Sequence, residues 1–210
     1  MDSRLYIKKF KKQGFVNMGS SLISSEEIDK LSKLVKNKFE ETFDSLPNDS
    51  CLSMLTTTNL LESVPYAGVV ANKIVSNPLI KEFLEEILGR DYKIWGVEAR
   101  LAPSGDRGLY LHQDGPGQIN LFLSLDDNLQ GDGASIFLPS SHLIKGSQKK
   151  LGVEVPPALL RFLPFMFERL SRLRGNIDIF SNRTWHGRWK NSSSCDHTVI
   201  TISFFPAGYN

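Results

Sequence analysis

Residues 109–127 read LYLHQDGPGQINLFLSLDD, two short apolar or alternating runs parted by turn residues, which is the pattern of strands. The same pattern recurs on either side. KIWGVEARLA (93–102), ASIFLPSS (134–141), IDIFSN (177–182), TWHGRWK (184–190) and HTVITISFF (197–205) complete a set of seven short strands. No long helix intervenes between most of them, and helices precede them that can pack on one sheet face. The order points to a β-sandwich or jelly roll with an α-helical layer, an α+β chain that is mainly β.

Two helices are well marked upstream. Ser24-Ser25-Glu26-Glu27 is a capping box, followed by Ile28, Leu31, Leu34, Val35 and Phe39 at helical spacing, which predicts a helix over about 25–41. Asn77-Pro78 gives a cap and a first-turn proline. Leu79, Ile80, Phe83, Leu84, Ile87 and Leu88 then form one stripe that ends at Gly89. Residues 156–174, PPALLRFLPFMFERLSRLR, carry a helical pattern interrupted at Pro164, with arginines interleaved. Three readings stay open for this segment: a helical insertion packed on the sheet, a lid over a site, or a basic surface for a membrane or a partner.

The chain has 210 residues, with 25 Lys+Arg against 23 Asp+Glu and a net charge of +2. That length is ordinarily one domain, here taken as 1–210, able to bury a real core. The near-balanced charge argues against a nucleic-acid partner, whose phosphates need concentrated positive charge. No stretch reaches the roughly 18 apolar residues that cross a bilayer, so there is no transmembrane segment, and the expected location is cytoplasmic. Cys51 and Cys195 stand in Ser-rich stretches outside any metal or disulfide spacing, and free thiols are expected.

In a strand, side chains alternate, so His112 and Asp114 point the same way. His186 lies on another predicted strand. An HxD triplet alone is a common accident of strand ends. Two imidazoles and one carboxylate on one face, however, are the donor set that suits non-haem Fe(II) with open positions for oxygen and substrate.

Longer phrases surround these residues. FKKQGFVNMGSSLISSEEIDKL, LHQD, NLFLSLDD, GDGASIFLPSSHLIKGS and GNIDIFSNRTWHGRWKNSS together resemble the phytanoyl-CoA dioxygenase family of Fe(II)/2-oxoglutarate oxygenases. The resemblance covers most of the chain, with 150–173 the least matched part. It implies a double-stranded β-helix, a jelly-roll or cupin-like barrel, to which the residue patterns add the N-terminal helices on one sheet and a helical insertion near 156–174. It also implies His112, Asp114 and His186 as ligands of Fe(II), and His142 as a structural residue or at most one lining the site.

The family places an arginine eleven residues after the second metal histidine, where it grips the distal carboxylate of 2-oxoglutarate. Here that position is His197. A neutral imidazole offers one N–H where arginine offers a charged fork. Two rescues remain: a protonated His197, or another cation. Arg188, two residues after His186 and on the same face if the strand continues, is the first candidate, and Arg100 the second.

By the same resemblance, the reaction consumes O2 and 2-oxoglutarate and releases succinate and CO2. The intact Asp114 favours hydroxylation of a small-molecule C–H, because halogenating relatives have Gly or Ala there. The competing reading, motivated by His197, is a metal-binding jelly roll that has lost or altered 2-oxoglutarate use and serves as a binding module.

Overall fold

The structure is a computed structural model that describes residues 3–20, 22–43, 55–57, 59–114, 117–128, 133–144, 166–170 and 172–208. In chain order its helices are α1 (Ser3–Gln13), α2 (Ser25–Phe43), α3 (Leu60–Ser63), α4 (Pro65–Ser76) and α5 (Pro78–Leu88). Its strands are β1 (Phe15–Gly19), β2 (Leu55–Thr57), β3 (Lys93–Ala102), β4 (Leu109–His112), β5 (Ile119–Ser124), β6 (Ser135–Phe137), β7 (Glu168–Arg169), β8 (Ile177–Ser181), β9 (His186–Arg188) and β10 (His197–Phe205). They form a six-stranded sheet in the order β1-β8-β5-β10-β3-β2 and a four-stranded sheet in the order β4-β9-β6-β7. Every pairing is antiparallel.

Alternation along the strands divides the large sheet into two faces. Val97 and Ala99 of β3, Leu121 and Leu123 of β5, Ile177 and Ile179 of β8, and Ile200 and Ile202 of β10 face the helices. There they meet Leu31 and Val35 of α2, Ile74 of α4 and Ile80, Phe83 and Leu84 of α5 in one buried core. The opposite face meets the small sheet. Phe15, Phe122, Phe137, Leu170 and Phe180, drawn from both sheets, form an apolar cluster between them. Phe15 and Phe137 stack with centroids 4.8 Å apart, and Phe122 and Phe180 meet edge-on at the same distance.

The two sequence-marked helices begin as expected. Ser24 N–H donates to Glu27 at 3.0 Å and Glu27 N–H donates to Ser24 Oγ at 3.3 Å, closing the capping box. Asn77 caps α5 by accepting the Leu79 amide at 3.0 Å, and the helix stops at Gly89, whose φ of +88° suits glycine. Leu34 departs from its expected place: it is 37% exposed, at the edge of the α2 stripe.

All seven expected strands are present. The sequence reading passed over α1, α3, α4, β1, β2 and β7. In the segment 156–174, residues 156–165 lie outside the described residues. The part that follows is not helical: Glu168 and Arg169 form β7 against β6, and Arg172 bridges to Asn128. The cause is the unmet edge of β6, which takes a strand where the apolar spacing alone suggests a helix. Cys195 is free and exposed, and Cys51 lies outside the described residues. Among the described residues no helix is long and apolar enough to cross a membrane.

Candidate metal centre

Strands β4 and β9 pair in a register that sets His112 directly opposite His186. The close approach depends on Gly187. A Cβ there would stand 2.8 Å from the Leu109 carbonyl and 2.9 Å from that of Tyr110, so any side chain would push β4 away. Asp114 follows two residues past His112, its amide bonded to the Asn182 carbonyl at 3.0 Å. The outcome is a cluster in which one donor atom from each of His112, Asp114 and His186 lies within 4.8 Å of the others.

Both imidazoles are oriented by the backbone. His112 Nδ1 lies 2.7 Å from the Tyr110 carbonyl and His186 Nδ1 lies 2.8 Å from the Thr184 carbonyl. A carbonyl can only accept, so each Nδ1 carries the proton and each Nε2 keeps its lone pair. Those Nε2 atoms face Asp114, at 3.7 Å for His112 and 3.4 Å for His186. This is the backbone support that metal-ligating histidines need.

The electrostatics favour the ligating forms. Burial, with the neighbouring His186 charge, holds the His112 pKa below its ordinary value, which keeps the ring neutral. For Asp114, burial acts to raise the pKa. The neighbouring His186 and His112 rings and the Arg100 guanidinium outweigh it, so the carboxyl sits below its ordinary range. The donors present fit a divalent cation: two imidazoles whose Nδ1 is taken by the backbone and one carboxylate, with one side left to a cavity.

That cavity is bordered by the two histidines, by Phe122 and Phe137, and by Arg100, Arg172, Arg188 and His197. Arg100, Arg188 and His197, the three singled out in the sequence, all face it. Arg188 does share the inward side with His186, and is 8% exposed. It is not a bare cation, because Asp106, 2% exposed, pairs with its guanidinium. Arg100 turns Nη2 to Glu98 at 3.2 Å. His197 Nε2 lies 3.4 Å from Ser193 Oγ at the start of β10.

Two members of this constellation escaped the sequence reading. Asp106 stands in a loop with no motif to mark it, 82 positions from its partner. Arg172, the fourth of these side chains, belongs to the segment that the sequence left open between a packed insertion, a lid and a basic surface; it is 4% exposed and paired with Asp178. His142 lies apart from the triad and donates to the Lys11 carbonyl at 3.2 Å, which agrees with a structural part.

No family model matches the sequence, and no curated protein does either. Solved structures do. The non-heme alpha ketoglutarate dependent carbocyclase SnoK from nogalamycin biosynthesis superposes with a TM-score of 0.78 at 13% identity, over 97% of this chain and 84% of that one. HygX from Streptomyces hygroscopicus, solved with nickel and 2-oxoglutarate bound, gives 0.77 at 12% identity, over 100% of this chain and 89% of that one. The chain has their fold. The epimerase SnoN, solved with Fe3+, alpha ketoglutarate and nogalamycin RO, gives 0.75 at 14% identity, over 98% of this chain and 84% of that one. At these identities the likeness speaks for architecture, and the chemistry has to be argued from the residues.

Proposed function

We propose that the chain is an Fe(II)- and 2-oxoglutarate-dependent oxygenase of the phytanoyl-CoA dioxygenase type. In this reading residues 1–210 form a single domain, a double-stranded β-helix, and the reaction hydroxylates a small-molecule C–H. The observation that carries it is the triad geometry: His112, Asp114 and His186 bring their donor atoms within 4.8 Å, and both histidines are locked with Nε2 toward the shared point. SnoK, HygX and SnoN support it, since on the same fold SnoK is alpha ketoglutarate dependent and HygX and SnoN are solved with 2-oxoglutarate or alpha ketoglutarate bound.

A ferrous ion chelated by a 2-oxo acid would supply oxygen activation when bound, O2 being the oxidant and taking two electrons from the oxo acid and two from the substrate C–H. The remaining work falls to the chain. His112, Asp114 and His186 hold three positions on one side of the ion and leave the cavity side to cosubstrate, O2 and substrate. Phe122, Phe137 and Phe180 keep that side apolar and exclude water from the reacting atoms. Arg100, Arg188 and His197, together with Arg172, supply the positive end that an anionic cosubstrate requires.

One observation favours the rival reading of a metal-binding module without 2-oxoglutarate. All three arginines already face carboxylates, Arg100 with Glu98, Arg172 with Asp178 and Arg188 with Asp106. Oxygen uptake separates the two. Iron-loaded protein with 2-oxoglutarate in air is expected to release succinate in step with oxygen consumed, and His186→Ala to abolish both while the protein stays folded. Iron bound at full affinity with neither product nor uptake, over a screen of small molecules, would leave the binding module standing.

A further inference from the structure

A 2-oxo acid that chelates a metal through its 1-carboxylate and keto oxygen leaves its second carboxylate two methylenes away. Inside a protein that carboxylate needs a cation with hydrogen bonds to give. The four basic side chains at this cavity are not equivalent in that respect. Arg188 gives its Nη1 to Asp106 on the small-sheet side. Arg100 has a side chain 28% exposed and gives its Nη2 to Glu98.

Arg172 is different in kind. Its Nε docks on one oxygen of Asp178, whose other oxygen takes the Asn17 amide at 2.7 Å, so the guanidinium is fixed in direction. Its backbone is bonded to Asn128 in both senses, at 2.8 and 3.0 Å. Two residues before Asn128, Asp126 accepts the Thr198 amide at 2.9 Å, so one short segment braces both Arg172 and the start of β10. Arg172 Nη2, which carries two N–H groups, is buried and has no hydrogen-bond partner; Arg100 and Arg188 also have a buried unpartnered Nε, but that atom offers a single N–H. A buried N–H without an acceptor is costly, and such groups are rare unless a ligand completes them.

Arg172 and the triad histidines border one aromatic-walled cavity. The Arg172 guanidinium carbon lies 5.5 Å from the centroid of Phe122, whose ring meets Phe180 at 4.8 Å, which in turn lies 5.0 Å from the ring of His186. Phe122 and both histidines of the triad border the same cavity as Arg172.

We propose that Arg172 is the anchor for the distal carboxylate of the 2-oxo acid, taking it on Nη2 while Asp178 holds Nε. The inference rests on the oxygenase reading above and assigns a residue to it. The anchor then comes from the segment after β7, and β10 contributes only His197.

The test compares two 2-oxo acids on Fe(II)-loaded protein under anaerobic calorimetry. 2-Oxoglutarate and 2-oxovalerate have the same chain length, and only the first ends in a carboxylate. The wild type is expected to favour 2-oxoglutarate by roughly 10- to 100-fold, the worth of a charged hydrogen bond. Arg172→Gln should bring that ratio close to one. Because it leaves Asp178 buried without its cation, the paired variant Arg172→Met with Asp178→Asn removes both charges and protects the fold. It too should lose the preference while binding iron as before. Arg188→Met with Asp106→Asn removes the other buried ion pair at the cavity and tests the rival assignment. A preference that survives in the Arg172 variants, or that collapses instead with Arg188 or in His197→Ala, overturns the assignment and leaves the oxygenase reading intact. A wild type that binds iron but neither acid overturns both.

Discussion

At the scale of single residues the site is a set of paired charges and aimed lone pairs. Arg188 and Asp106 show what this costs: each is at least nine-tenths buried, and each is the other's counterion. Removing one partner of such a pair strands a charge in the interior. Asp106→Asn is therefore expected to destabilise the fold by about 3–5 kcal/mol, and the double variant with Arg188→Met to recover most of that, both read by urea unfolding. Equal losses in the single and double variants would mean that the pair contributes through packing alone. His112, Asp114 and His186 were legible in the sequence because strand alternation and the HxD spacing act locally. Asp106 and Arg172 were not, because a counterion is chosen by three-dimensional proximity, and no spacing in the chain encodes that Arg172 meets Asp178.

At the scale of elements, β4 and β9 are the hinge of the account. Their approach carries His112 to His186, and Gly187 is what permits it, with two β4 carbonyls under 3 Å from where a Cβ would go. Gly187→Ala should part the strands and weaken Fe(II) binding by at least about tenfold, since small displacements of a ligand cost that much. Equilibrium dialysis checks it, and unchanged affinity would show that β4 can yield without moving His112. The helical layer offers a second prediction. Glu27 closes the α2 capping box and meets Lys73 of α4 at 2.6 Å, and the Lys73 hydrogen bond leads the causes that lower its pKa from 4.5 to about 2. A depressed carboxylate stabilises the fold above its unfolded pKa and ceases to do so as pH falls through the folded one. The melting-temperature gap between wild type and Glu27→Gln should thus be constant above about pH 5 and close toward pH 2. A gap that persists at pH 2 would assign the effect to something other than ionisation. Periodicity revealed α2, α5 and seven strands, whose patterns are long or bounded by clear caps. It missed β1 and β7, whose strand state is set by the neighbours they pair with, β8 and β6, rather than by their own few residues.

At the scale of the whole molecule, two sheets close on an aromatic interior while five helices cover the outer face of the larger one. The division of labour is physical. The core of Leu, Ile, Val and Phe between helices and sheet stabilises the scaffold through apolar burial. The buried ion pairs Arg172–Asp178 and Arg188–Asp106 lie on the far side, with the small sheet that carries His112 and His186. Substitutions in the triad should therefore change ligand binding far more than stability, and this separation allows a single optical experiment to test the central claim. Fe(II)-loaded protein is titrated anaerobically with 2-oxoglutarate, following the weak visible charge-transfer band of a keto acid on ferrous iron. A saturable band that is lost in Asp114→Ala is the expected result. Iron bound in the wild type with no band at any concentration would contradict it.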